Sequence, residues 1–261
     1  MAKRRKIPHH FDRVASRYND VRDTDPGVVE PIIDHLPMHD RVLDVIDVGC
    51  GTGRYTSLIA QRFDGPLRLL CCDYSAPMLE ECRKRMRDRY RSKLIGHCRV
   101  SAEDLPFMDE SLDGIVTFNA VHHFNLDRFV LAASHALRSR GLLSVYTRTP
   151  EQNERTIWGQ HFPGFTETET RLYSRERLER AIDSTEGFHV EGIHEFRNER
   201  AESIESLVER TRSCHYSTFA LYPCDAFDRA VETFVRTLSE ISKGGVVEHT
   251  AENTLVLARR E

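Results

Sequence analysis

Asp47 stands two residues ahead of Gly49, Gly51 and Gly53, three glycines at alternate positions, and a helical pattern opens at once behind them. Glycines so placed leave backbone that a ligand can approach without meeting a Cβ. Asp73 lies 20 residues beyond Gly53 and ends a second apolar stretch, Leu69-Leu-Cys-Cys72. A carboxylate at that place can accept both hydroxyls of a ribose. His122 and His123 follow later in the chain, and imidazole is the side chain whose ordinary pKa suits general-base work near neutrality. A phosphate-gripping loop is excluded, because Arg54-Tyr55 stands where Lys-Ser/Thr would follow the last glycine. The dinucleotide fingerprint also fails, since Arg54 occupies the position of its third glycine. The glycine turn alone still admits a purely structural turn in some other α/β protein.

These residues need elements to hold them. Residues 42–48 are an apolar, β-branched run and read as a buried strand that stops at Gly49. Tyr55, Leu58, Ile59 and Phe63 mark the helix after the turn. Further strands are predicted over 69–73, 94–100, 112–118 and 141–147. Helices are predicted from Ser75, whose side chain can cap, through Met86, and over 126–137, with 138–141 as the exit turn. This alternation argues for a parallel sheet. Beyond Arg148, Ser174 is expected to cap a helix, and 188–196 to form a strand with a bulge at Gly192. Ile204, Leu207, Val208 and Thr211 share one helical face. Asp225 is expected to cap a longer helix that Gly244-Gly245 breaks, and 254–258 to close as a strand.

Three segments at the right mutual spacing resemble the class I S-adenosylmethionine (SAM)-dependent methyltransferases, in their ubiquinone/menaquinone-biosynthesis (methyltransferase type 11) branch. They are Val45-Ile-Asp-Val-Gly-Cys-Gly-Thr-Gly-Arg54, Asp73-Tyr-Ser-Ala-Pro-Met-Leu79, and Ser101-Ala-Glu-Asp-Leu-Pro-Phe107 with the strand running to His122-His-Phe124. Phe11-Asp-Arg-Val-Ala-Ser-Arg-Tyr-Asn-Asp20 resembles the branch's segment before the cofactor domain, and the resemblance covers roughly residues 11–148. It implies an α/β fold: a Rossmann-like, seven-stranded, mostly parallel sheet with helices on both faces, an N-terminal helical lid (1–40), a SAM-binding core (41–148), and cap helices with edge strands (149–261). The last strand is expected to be antiparallel.

The resemblance assigns SAM as cofactor and S-adenosylhomocysteine as product. Asp73 would hold the ribose. Asp47 and the carbonyls of Gly49 and Asn119 would take the methionine amino group, with Cys50 and Gly51 beside it. The adenine would lie among Tyr74, Met78 and Ala102 with Glu103 nearby; Ser101 stands where the family usually has an acid. Tyr18 would approach the methionine end. His123 is the candidate general base, with His122 second. Arg148, Trp158 and His161 would face the acceptor, where an arginine suits a carboxylate. For each of these late residues ordinary surface or cap packing is the stronger reading.

Composition sets the outer bounds. Hydrophobic residues at 39% and charged residues at 30% describe a soluble globular chain with a cytoplasmic expectation. No run approaches the ~20 apolar residues of a membrane span. The basic start, Lys3, Arg4, Arg5 and Lys6, lacks the apolar segment of a signal peptide and reads as a solvated terminus. The net charge of −4 argues against a nucleic-acid partner. Seven cysteines show no zinc-like spacing and read as reduced core residues, with no metal expected. The expected activity is methyl transfer from SAM to the O, N, S or activated C of a small molecule. Two alternatives stand beside it: a tRNA-modifying methyltransferase, from the faint echo in Tyr146-Thr-Arg-Thr-Pro-Glu-Gln152, and a non-catalytic SAM-binding regulator.

Overall fold

The structure, a computed structural model, describes residue 15 and residues 24–37, 41–87 and 93–261. The expected helix around Tyr18 and the basic residues 3–6 lie outside the described residues.

The apolar runs become the strands β1 (Leu43–Val48), β2 (Leu67–Asp73), β3 (Leu94–Arg99), β4 (Leu112–Phe118) and β5 (Leu137–Thr147). These are parallel, and with β6 (Phe188–Ser203) and β7 (Val246–Arg260) they form one seven-stranded sheet in the order β3-β2-β1-β4-β5-β7-β6. β7 runs antiparallel to both β5 and β6. All seven residues of β4 are buried, as a strand covered on both faces must be. Strand order reverses between β1 and β4, so the carboxyl ends of these two strands border the natural crevice of such a sheet.

Helices cover both faces. On one side α1 (Val29–His35), α2 (Arg54–Arg62) and α3 (Ala76–Met86) pack Ile32, Ile59 and Cys82 against β1, β2 and β5. On the other, α4 (Leu126–Ala136) contributes Phe129 and Val130. Three short helices follow β5: α5 (Pro150–Glu154), α6 (Ile157–His161) and α7 (Phe165–Thr168). Then α8 (Arg175–Asp183), capped by Ser174 as expected, joins α4 on the second face through Leu178 and Ile182.

α9 (Ile204–Arg212) and α10 (Cys224–Ile241) are inserted between β6 and β7. With α6 and α7 they build a separate apolar core of Trp158, Phe162, Phe165, Leu207, Phe219 and Phe234. The hairpin that carries this cap is longer than its apolar sequence suggests. β5 pairs with β7 only as far as Thr147↔Thr254, whereas β6 and β7 stay paired out to Ser203↔Val246. The outer half, Glu248 to Asn253, is polar because one side of it faces a cavity rather than a core, and alternation alone does not mark it as strand.

Three local expectations are corrected. Residues 138–141 are not a free exit turn: they form a bulged start of β5, between the pairs Leu112↔Leu137 and Gly114↔Leu142, with Arg140 at φ 65°. Asp225 sits in the first turn of α10, and the N-cap position is Pro223. The closing strand spans Val246–Arg260 rather than 254–258. The bulge in β6 at Gly192 and the break at Gly244-Gly245 fall as expected. Among the described residues, no helix is long and apolar enough to cross a membrane.

Candidate functional site

The glycine turn is built by backbone conformations that only glycine adopts cheaply. Gly49, Gly51 and Gly53 have φ of 74°, 54° and 74°. The N–H groups of Gly49 and Cys50 both donate to the Cys72 carbonyl, at 2.8 and 3.0 Å, which ties the turn to the end of β2. The three glycines differ in what a side chain would meet. A Cβ at Gly49 would lie 2.5 Å from Ala120 Cβ, and one at Gly53 2.6 Å from Cys82 Sγ. A Cβ at Gly51 would meet nothing within 4 Å, because that position opens onto a cleft.

The cleft has a volume of about 690 Å³, within the usual range for small-molecule sites. Its walls are the glycine turn, the end of β2, the start of α3, the loop after β3 and the end of β4. Asp47, Gly49, Cys50, Gly51, Asp73, Tyr74, Met78, Ser101, Ala102, Glu103 and Asn119 all line it, so these eleven expected residues are brought together. Tyr18 lies outside the described residues.

Three carboxylates serve the cleft under different constraints. Asp47 is buried; Thr56 Oγ1 donates to its Oδ2, while Oδ1 is buried without a hydrogen-bond partner. Burial pushes the Asp47 carboxyl up to about 8, against the Thr56 hydrogen bond. A buried, unpartnered acceptor of this kind fits a ligand ammonium. Asp73 accepts from Gly51 N–H at Oδ2 and from Ser75 N–H at Oδ1, both at 2.8 Å. Its carboxyl is also raised, by burial first, with the backbone donors opposing. Glu103 accepts from Ser101 Oγ and, at 2.8 Å, from Asn125 N–H. Burial opposes its charge, but those hydrogen bonds hold it below the usual carboxylate range. Ser101 thus orients the neighbouring acid Glu103 in a cleft wall where the family usually has an acid at 101.

A second, smaller cavity of about 90 Å³ lies between the sheet and the cap. Its lining includes Arg148 and Trp158, with the Arg148 guanidinium 4.9 Å above the Tyr216 ring. His161 lines neither cavity: it ends α6 within the cap, where burial lowers its pKa. His123 lines only the cleft, whereas His122 lines both cavities, together with Tyr55 and Asn119. His122 thus lies on the wall that the two cavities share, with its ring centroid 4.1 Å from that of His123.

The cap brings in groups that sequence reading missed. Arg171 enters the cleft, and Arg200, Arg210, His249 and Asn253 enter the cavity. Glu202 receives Arg210 Nη1 at 2.7 Å and faces His249 Nε2 at 2.9 Å. Burial works against its charge, but these two partners hold its carboxyl down at about 2. Asn253 Nδ2 donates to Asn119 Oδ1 at 3.1 Å, and Asn119 itself holds a strained φ of 52° at the end of β4. Only the long β6–β7 hairpin brings these distant residues together, so no local motif marks them.

Comparison with known proteins agrees with this geometry. A family profile described as a methyltransferase domain matches residues 45–141. A probable tRNA methyltransferase 9B of Bos taurus is 31% identical over 118 residues, covering 42% of this chain and 22% of the relative. A probable SAM-dependent methyltransferase, CRG1, of Saccharomyces cerevisiae is 30% identical over 135 residues, covering 51% of this chain and 44% of the relative. The chain therefore matches less than half the length of either relative. Among solved structures, geranyl diphosphate C-methyltransferase from Streptomyces coelicolor, in complex with Mg²⁺, geranyl-S-thiolodiphosphate and S-adenosyl-L-homocysteine, superposes with a TM-score of 0.57 at 16% identity, over 90% of this chain and 76% of that one. At that identity the likeness speaks for the fold. Profile, sheet order and glycine turn agree: residues 45–141 match a methyltransferase domain, and the fold around them is the one seen in solved methyltransferases.

Proposed function

We propose that the chain is a SAM-dependent methyltransferase whose acceptor is a small molecule bound beneath the cap. The observation that carries this reading is a shared wall: Tyr55, Asn119 and His122 line both the cofactor-sized cleft and the polar cavity. A methyl donor in one chamber and an acceptor in the other would meet there.

The residues of the cleft fit SAM. Asp73 offers a charged acceptor to the ribose hydroxyls, and Asp47 Oδ1 offers a buried one to the methionine ammonium. Met78 and Ala102 offer apolar surface to the adenine, with Tyr74 at the mouth. SAM, when bound, supplies a methyl already activated by its sulfonium, so the protein's part is positioning and electrostatics. On the acceptor side, the Arg148 guanidinium stacked on Tyr216 suits a carboxylate or another anionic group. His122, on the shared wall, is the group placed to take a proton from an oxygen or nitrogen nucleophile. This supersedes His123 as the candidate base.

A tRNA acceptor is the second reading, favoured by the relatives named for that activity. Against it stand the small size of the cavity beneath the cap and the net charge of −4. The test uses labelled methyl-SAM with a panel of small carboxylic acids and phenols beside total tRNA. Transfer to a small acid or phenol, weakened in Arg148→Ala, supports the proposal. Transfer to tRNA alone overturns the acceptor assignment, and binding of NAD in preference to SAM overturns the whole reading.

A further inference from the structure

Cysteines that are far apart in sequence converge beneath the glycine turn. Cys71 on β2 and His97 on β3 are ladder partners, so their side chains share one face of the sheet. Cys82, on α3, packs onto that face, and both Cys71 and Cys82 are fully buried. The two sulfurs and a ring nitrogen of His97 all lie within 4.8 Å of one another. Cys50, inside the glycine turn, packs against the same cluster as Cys71 and Cys82, just outside this donor group.

Packing alone does not account for this group. His97 Nε2 is buried with no hydrogen-bond partner, an arrangement that costs desolvation without return. The ligand set is that of a closed tetrahedral sulfur–nitrogen site, the kind that serves structure rather than catalysis. Around Zn²⁺ such atoms stand about 3.3–3.8 Å apart, so closure by about 1 Å brings these three donors to binding distance, and Cys50 would swing in from the turn.

We propose that Cys71, Cys82 and His97, with Cys50 as fourth ligand, form a structural site for one thiophilic divalent cation, Zn²⁺ by its ligand chemistry. Binding displaces the thiol protons to solvent, and His97 coordinates as the neutral imidazole. The ion ties β2, β3, α3 and the glycine turn together. Cys82 Sγ is also the atom that a Cβ at Gly53 would strike, so the site braces the turn from behind while the ligand cleft lies in front.

The test uses the full chain, kept reduced, freed of metal with a chelator and titrated with Co²⁺. One equivalent should produce a sulfur-to-cobalt charge-transfer band and the intense visible bands of a four-coordinate site, both erased by Zn²⁺. Zn²⁺ should also raise the thermal midpoint with increasing concentration. Cys82→Ser should abolish the charge-transfer band or reduce it strongly. His97→Gln, a milder change at the edge of the cluster, should lose the four-coordinate visible bands and the Zn²⁺-dependent rise in midpoint. Cys98→Ser and Cys224→Ser, outside the cluster, should leave every signal unchanged. Absence of the charge-transfer band in the reduced wild-type chain overturns the proposal. So does a band that persists in both cluster variants.

Discussion

Asp47 and Asp73 flank the same glycine turn, and burial raises the carboxyl of each. They differ in what remains unsatisfied. Asp73 has a backbone donor on each oxygen, whereas Asp47 has one oxygen with none. With its pKa raised from 3.8 to about 8, Asp47 is largely protonated at neutral pH in the free protein. The sign follows directly: the folded state binds the proton more tightly than the unfolded chain, so this group's contribution to stability is present below 3.8 and is lost as pH rises through about 8. A ligand ammonium reverses the preference by favouring the carboxylate. Affinity for S-adenosylhomocysteine should therefore rise with pH up to about 8, with proton release, and Asp47→Asn should flatten that rise; calorimetry in buffers of different ionisation enthalpy measures both. Asp73→Ala removes the proposed ribose acceptor and also two backbone tethers. It should weaken binding by about 2–4 kcal/mol and cost some stability. An unchanged dissociation constant would place the ribose elsewhere.

At the scale of elements, the glycines of one turn do two separate jobs: Gly49 and Gly53 leave room for close packing, and Gly51 leaves the cleft open. Gly51 faces open space, so Gly51→Ala meets only the left-handed φ of 54°, a strain of about 1–2 kcal/mol. The folded variant should still unfold cooperatively in urea, yet bind S-adenosylhomocysteine at least tenfold more weakly. Gly53→Ala drives a methyl to 2.6 Å from Cys82 Sγ and should instead cost stability first, with binding lost as the turn shifts. If both variants behave alike, the turn responds as a unit and Gly51 has no special relation to the ligand. The same turn illustrates why α2 begins where it does: Gly53 is its N-cap in a left-handed conformation, and no side chain caps it.

At the scale of the whole molecule, the chain holds a sheet core and a cap core joined by the β6–β7 hairpin and by the links around Gln152, whose Nε2 donates to Thr254 Oγ1 at 2.8 Å and to Glu195 Oε2 at 2.6 Å. Phe234 is fully buried at the centre of the cap core, against Phe162. Phe234→Ala should cost about 3–5 kcal/mol within the cap. Because the cofactor cleft is walled mainly by the sheet core, the variant should retain S-adenosylhomocysteine binding while methyl transfer falls. Calorimetry and a labelled-methyl assay on the same sample separate the two. Equal loss of both activities would show that the cap also holds the cofactor, for instance through Arg171 at the cleft wall.

The sequence by itself determined the cofactor side of this protein. Asp47, Asp73 and Asn119 sit at or just past the carboxyl ends of β1, β2 and β4, with the glycines in the turn after β1 and Met78 on α3 just beyond β2, and a parallel sheet always brings such ends to one edge. Short-range pattern was enough there. Tertiary structure alone decided the rest. Which of His122 and His123 reaches the shared wall depends on the direction of a single 3-10 turn. The arrival of Arg200 and His249 at the cavity depends on cross-strand register, Arg200↔His249, in a hairpin whose polar outer half carries no signal of burial. Cys71, Cys82 and His97 meet only because β2, α3 and β3 pack on one face, which linear spacing cannot encode.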